Sequence, residues 1–208
     1  MPDIQPLVFI VDDDVSVRES LELLILQEGW QPETFGTADD FLKRPPPVVP
    51  SCLILDVSLP GISGLDLQGR IAKERLEMPI IFITGHGDIP MSVRAMKAGA
   101  VEFLTKPFTN EALVTAVKQS LERSRTALSE QEVLRELRGN YSSLSPRERD
   151  VMALVVAGLL NKQVGAELGI TEITVKAHRG RVMQKMNAAS LADLVKIATK
   201  LGLRLPTA

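Results

Sequence analysis

A single cysteine, Cys52, is all the thiol this chain carries, so no internal disulfide can staple it. Cys52 lies inside the apolar run Cys52-Leu53-Ile54-Leu55 and reads as a small buried side chain. Long hydrophobic runs are missing too. The longest strongly apolar stretch, Val151 to Leu160, holds ten residues, whereas a membrane-crossing helix needs about 20. The start, Met1-Pro2-Asp3-Ile4-Gln5, has no basic region followed by an apolar one, so no secretory signal is expected. A cytoplasmic protein without membrane contact is the expectation. No glycine-rich nucleotide loop, internal repeat or low-complexity tract stands out. Across 208 residues, 45% hydrophobic and 24% charged content is the ordinary globular range and argues against disorder.

Charge is present in both signs but unevenly placed. From Tyr141 onward the chain carries ten Lys and Arg against five Asp and Glu, a net of +5. The preceding 140 residues carry fourteen against twenty-one, a net of -7. That asymmetry suggests two domains with different partners, the basic one a candidate for nucleic acid. An uneven scatter of surface charge fits the same count.

Short β-branched and apolar runs mark strands at 7–11, 51–55, 79–84 and 101–104, with a weaker one at 31–35. Helix-period segments lie between them near 15–28, 37–44, 64–76 and 88–98. Continuous apolar strands alternating with helices predict an α/β fold, a doubly wound five-stranded parallel sheet covered on both faces. Ligands in such sheets bind beyond the carboxyl ends of the strands. Pro45-Pro46-Pro47 is a short rigid loop element. Residues 110–138 read as one long helix or two shorter ones, with Leu113, Val117, Leu121, Leu128, Leu134 and Leu137 roughly on one side. The highly charged stretch from Glu122 reads as a helical linker capable of self-pairing, or as a freely solvated, fraying one. Ser145-Pro146-Arg147-Glu148 is a helix start, with a capping serine, a proline at the first position and a glutamate that completes a capping box. Four short helices follow, near 146–157, 161–168, 172–186 and 190–201, with Gly158 and Gly169 as stops. The resulting division is 1–127, a helical linker 128–142, and an all-α four-helix domain 143–208.

Four strand ends carry polar groups. Val11 precedes Asp12-Asp13-Asp14, Leu55 precedes Asp56, Ile83 precedes Thr84-Gly85, and Leu104-Thr105 precedes Lys106-Pro107. In a parallel sheet all four ends share one edge, which gathers carboxylates, a hydroxyl and an ammonium in one cleft. Clustered carboxylates repel unless a cation neutralises them. Oxygen donors suit a hard ion, Mg²⁺ or Mn²⁺. Asp56 can then act as nucleophile toward a phosphoryl group, with Lys106 and Thr84 stabilising its oxygens. Pro107 permits a cis bond that aims the lysine inward, and Gly85 leaves room beside the phosphoryl group. Each piece alone has a plain reading as a solvated loop, a cap or a turn; the four in order on four strand ends do not.

Residues 7–127 resemble the receiver domain of two-component response regulators in Asp12-Asp13, Asp56, Pro60-Gly61, Thr84 and Lys106-Pro107. The segments 84–91 and 96–100 resemble its FixJ-like branch. The resemblance implies that Asp12, Asp13, Asp56 and the Ser58 backbone carbonyl surround Mg²⁺, with Asp14 not a direct ligand. It implies a sensor histidine kinase as phosphoryl donor, and Thr84 with Phe103 as the switch pair. Phe103 stands where tyrosine is common, so its inward movement would rest on packing without a hydroxyl bond. The two histidines, His86 and His178, lie in no recognisable kinase helix, so this chain receives phosphate and does not generate it from ATP.

On a helix over 173–186, Val175, His178, Val182 and Met186 share one face, bordered by Lys185 with its stem packed and its charge outside. The opposite face carries Ile173, Ala177, Gly180 and Gln184, flanked by Lys176 and Arg181. Such a face, small in the centre and basic at the edges, can enter a major groove; an ordinary solvated helix face fits it as well. The segment Asn161 to Gly169 supplies the first helix and turn of a helix-turn-helix. Residues 143–203 resemble the LuxR/NarL/FixJ-type DNA-binding domain in 144–148, Asn161-Lys162, 167–170 and 174–178. The resemblance implies a core role for His178, with Lys176 and Ala177 facing bases and Lys162, Arg179 and Arg181 facing phosphates. Thr174 and Gly180 complete the DNA-contact set, Gly180 replacing a longer polar side chain. The last helix sets Leu191, Leu194, Val195, Ala198 and Leu201 on a stripe that covers the small core.

The expectation is a response regulator that accepts phosphate on Asp56 from a sensor kinase. Phosphorylation adds roughly -1.5 to -2 charge in the cleft, the face near 88–105 pairs with a second molecule, and the homodimer binds double-stranded promoter DNA and engages RNA polymerase. Its only catalysis is its own phosphorylation and dephosphorylation. The alternatives are a phosphohydrolase working through an aspartyl phosphate, for which Asp12-Asp13-Asp14 offers the Asp-x-Asp spacing, and an RNA-binding antiterminator.

Overall fold

The computed structural model describes residues 5–74, 78–85 and 88–203. The expected helix end at 76, His86 and Gly87, and the first four residues lie outside them. The element order is β1 (Leu7–Val11), α1 (Val15–Gln27), β2 (Gln31–Phe35), α2 (Ala38–Lys43), β3 (Ser51–Asp56), α3 (Gly64–Glu74), β4 (Ile80–Thr84), α4 (Ile89–Lys97) and β5 (Glu102–Thr105). Five helices follow, α5 (Asn110–Ser142), α6 (Pro146–Val156), α7 (Asn161–Leu168), α8 (Glu172–Lys185) and α9 (Leu191–Lys200). The chain divides into two compact units, Met1–Ser129 and Glu130–Ala208.

In the first unit the strands form one parallel sheet in the order β2-β1-β3-β4-β5. Every residue of β1, β3 and β4 is buried, as an apolar run covered on both faces requires. β2 carries Pro32, which lacks the amide a central strand needs, and it lies at the edge. Two apolar clusters follow from the alternation of side chains along the strands. Phe9, Leu53, Leu55 and Phe82 pack with Phe41 of α2, Leu67 and Ile71 of α3, and Ala95 of α4. Val8, Ile10, Ile54, Ile81 and Ile83 pack with Leu21 and Ile25 of α1 and with Leu113 and Val117 of α5. Each such large side chain taken out of water contributes roughly 1.5–3 kcal/mol. The Ser124 hydroxyl of α5 accepts the amide of Ser51 at 3.0 Å, tying the helix to the start of β3. Gln68 of α3 donates to the Ala95 carbonyl of α4 at 3.2 Å inside the protein.

Residues 110–138, open in the sequence between one helix and two, form part of the single helix α5. The second unit closes its own core, Val151, Met152 and Val155 of α6 packing with Val164, Val175, Val182, Met186, Leu194 and Ala198. The α6 start is a complete capping box, Ser145 accepting from the Glu148 amide at 3.3 Å and Glu148 accepting from the Ser145 amide at 2.9 Å.

Candidate functional site

The parallel register sets the strand ends side by side. Val11 pairs with Leu55, Asp56 with Ile83 and Thr84 with Thr105. The groups that follow β1, end β3 and β4, and follow β5 therefore meet at one edge of the sheet. Asp12 is buried; its carboxylate accepts the Asp14 amide at 2.9 Å and the Lys106 ammonium at 2.8 Å. Lys106 also stands 3.9 Å from Asp56. The Lys106-Pro107 bond is cis. Asp13 is exposed. Asp14 is the N-cap of α1, accepting from Ser16 at 2.8 Å and Val17 at 3.4 Å. Its carboxylate is thereby committed to the helix start.

Asp56 is buried, 7% exposed. Burial pushes its carboxyl pKa up, since the charged form loses water. Lys106 opposes that shift, the Asp12 carboxylate adds to it, and the backbone amides of Ser58 and Val57 oppose it. One Asp56 oxygen, Oδ1, is buried with no hydrogen-bond partner among the described residues. Carboxylate oxygens of Asp12, Asp13 and Asp56 lie within 4.8 Å of one another. An all-oxygen, net-negative donor set with one unsatisfied buried atom fits a hard divalent cation. Thr84 is fully buried, its carbonyl accepting the Lys106 amide at 2.7 Å. Phe103, half-buried on β5, packs its ring 6.1 Å from that of Phe82. Ser58 follows in the β3–α3 loop with its side chain exposed.

Gly64 is a site residue that the sequence reading missed. It opens α3, and a Cβ there would stand 2.4 Å from the Asp56 carbonyl oxygen and 3.0 Å from the Val57 Cα. The loop after Asp56 closes because the Gly64 amide reaches the Val57 carbonyl at 3.0 Å. The signal available was Gly61 and Gly64 at a helix start, where Ser63 alone would have served as a cap.

In the second unit, α7, a turn through Gly169, and α8 form a helix-turn-helix. A Cβ on Gly165 would lie 2.7 Å from the Ile170 carbonyl, so glycine in α7 is what lets the turn fold back. Thr171 caps α8, and its hydroxyl bonds that of Thr174 at 2.8 Å. Val175, Val182 and Met186 are buried, and His178 is half-buried with Nδ1 enclosed. Lys162, Lys176, Ala177, Gly180 and Arg181 are exposed; Thr174 and Arg179 are half-buried. Lys176 pairs with Glu172 at 3.1 Å on the surface, an i,i+4 contact worth about 0.3–0.5 kcal/mol that yields readily to a stronger anion. Arg179 donates to the Asn161 side chain at 3.1 Å, joining α8 to the first residue of α7.

Lys185 is exposed, and its ammonium has partners that the sequence did not show: it bonds Glu148 at 2.7 Å and the Ser143 carbonyl at 3.1 Å. Glu148, only 4% exposed at its side chain, would otherwise be a buried carboxylate with amide partners alone. The lysine bond, before the Ser145 amide, pulls the Glu148 pKa down from 4.5 to about 2.

Two families match the chain. The response regulator receiver domain covers residues 8–118, and the luxR family of bacterial regulatory proteins covers 142–198. The chain is 53% identical to nodulation protein W of Bradyrhizobium diazoefficiens over 95% of its length and 87% of the relative's. It is 42% identical to the transcriptional regulatory protein FixJ of Azorhizobium caulinodans, covering 97% and 95%. The solved structure of response regulator StyR is similar at a TM-score of 0.84 and 48% identity, over 94% of this chain and 99% of that one.

Proposed function

The chain belongs to the FixJ/NarL-type response regulators, which join a receiver domain to a LuxR-type DNA-binding domain, and from that premise we propose that Asp56 is its phosphoacceptor and α8 its DNA-reading helix. The protein is a phosphorylation-controlled transcription regulator. The observation that carries the assignment of Asp56 is its buried Oδ1, without a hydrogen-bond partner among the described residues, beside two carboxylates and a lysine. The proposed domains are a receiver over 1–127, a helical linker over 128–142 and a DNA-binding domain over 143–208.

Asp12, Asp13, Asp56 and the Ser58 carbonyl would hold Mg²⁺ or Mn²⁺. Bound there, the cation supplies positive charge against the phosphoryl oxygens. An Asp56 oxygen attacks phosphorus as the bond from phosphorus to the leaving nitrogen of a phosphohistidine on a sensor kinase breaks. Lys106, held by Asp12, is placed to follow the new negative charge on Asp56. Thr84 meets that charge at the end of β4, and Phe103 repacks with it, shifting an existing equilibrium of the α4–β5 face. Pairing of two phosphorylated copies through that face then raises the avidity for paired half-sites. The same Asp56 site accounts for self-dephosphorylation, and the regulator acts on RNA polymerase in the cytoplasm. Lys162, Arg179 and Arg181 serve phosphate contacts; Thr174, Lys176, Ala177 and Gly180 lie along the base-facing side. In the phosphohydrolase alternative Asp14 would be the acid, yet Asp14 is committed to capping α1.

The test is DNA binding by the full chain with and without acetyl phosphate. The wild type is expected to bind more tightly with the donor, and Asp56→Ala to be indifferent to it. An undiminished donor response in Asp56→Ala overturns the assignment.

A further inference from the structure

Building on the reading of α8 as the DNA-contacting helix, we propose that Ile173 determines specificity by reading thymine through its C5-methyl group. Ile173 lies in the first turn of α8 and is 80% exposed. At about 100° per residue, Ile173, Ala177, Gly180 and Gln184 fall within about 40° of one direction, and the buried Val182 falls opposite. Ile173 thus points straight away from the core of its unit. Lys176 borders this stripe on one side and Arg181 on the other, both exposed.

Arg181 suits phosphate on one wall of a groove and Lys176 the rim of the base-facing side, within a stretch that carries a net +5 from Tyr141 onward. Between them the centre of the stripe is apolar at this end of the helix. Ala177 and Gly180 offer no side-chain donor or acceptor. The Thr174 hydroxyl is engaged with that of Thr171 at 2.8 Å. A branched apolar side chain at the head of the stripe has one apolar match in the major groove, the thymine methyl. Covering Ile173 with that methyl also removes from water the largest apolar group on this face. Gln184, at the far end, is the stripe's only side chain able to pair with a base edge through hydrogen bonds.

The experiment uses the full chain with acetyl phosphate and a randomised duplex pool. Preferred sequences are selected, and each thymine is then replaced singly by uracil, which lacks the methyl group. The wild type is expected to lose about 4-fold in affinity at one thymine per half-site, the worth of one buried methyl at about 0.8 kcal/mol. Ile173→Ala is expected to lose less than about 2-fold at that thymine and to bind random duplex as the wild type does. Uracil tolerated by the wild type at every position, or equal losses in both proteins, overturns the role of Ile173 while leaving α8 as the reading helix. A pool that yields no preferred sequence overturns both readings.

Discussion

At the scale of single residues, close contacts with the backbone decide more than charges do. Gly64 presses against the carbonyl of Asp56, so any side chain there must move backbone on one side or the other. Gly64→Ala is expected to destabilise the first unit by about 1–3 kcal/mol, the usual cost of overpacking, and to slow phosphoryl uptake from acetyl phosphate. Urea unfolding followed by Trp30, the chain's one tryptophan, measures the first, and a phosphoprotein gel the second. An alanine variant with wild-type values in both would mean that the β3–α3 loop accommodates a side chain at position 64. Lys176 gives a contrasting case, since its surface pair with Glu172 holds it only weakly. Lys176→Ala should weaken binding to preferred duplex by about 1–3 kcal/mol if it reads a base. Equal losses on preferred and random duplex, measured by titration, would make it a phosphate contact instead.

At the scale of elements, the start of α6 and the end of α8 are joined by one ion pair. The sequence showed the capping box at Ser145 and Glu148, but the lysine that neutralises Glu148 lies 37 residues away on another helix. Because the folded-state pKa of Glu148 is about 2, below its ordinary 4.5, its ionised form favours folding. That contribution is whole above about pH 4.5 and is lost as the pH falls toward 2. Protection of the amides in α6 and α8, taken relative to the intrinsic exchange rate at each pH, should therefore fall across that window in the wild type. Glu148→Gln should be less protected at neutral pH and lose less protection over the same interval. A variant with the wild-type pH profile would show that Glu148 contributes no linkage. The turn between α7 and α8 has the same character: Gly165 and Gly169 are visible in sequence, but only the contact with the Ile170 carbonyl shows why alanine at Gly165 would force the backbone to shift.

At the scale of the whole molecule, two units with apolar clusters of their own, two in the first and one in the second, predict two responses to a ligand that binds only one unit. Mg²⁺ should raise the unfolding temperature of the first unit and leave the second unchanged. At 100 times its dissociation constant the gain is about 2.7 kcal/mol. Asp13→Ala removes an exposed carboxylate of the cluster and is expected to abolish the shift with little change in the metal-free protein, as calorimetry would record. A shift that survives in Asp13→Ala would place the ion elsewhere. The parallel α/β sheet, the helix-turn-helix and the gathering of Asp12, Asp13 and Asp56 at the strand ends were legible in the sequence because their signals are local: apolar runs, caps, glycine stops and the residue after each strand. The α5 helix was open between one segment and two because a charged helical stretch has the same pattern either way. What the sequence determined by itself is which residues stand at the strand ends and which face of α8 is apolar. Tertiary structure alone decided that Lys106 bonds Asp12 across 94 residues, that Arg179 is held by Asn161, and that Lys185 bonds Glu148. The buried carboxylates Asp12 and Glu148 need such partners, because an unpaired buried charge is costly, and burial exists only once the elements have packed.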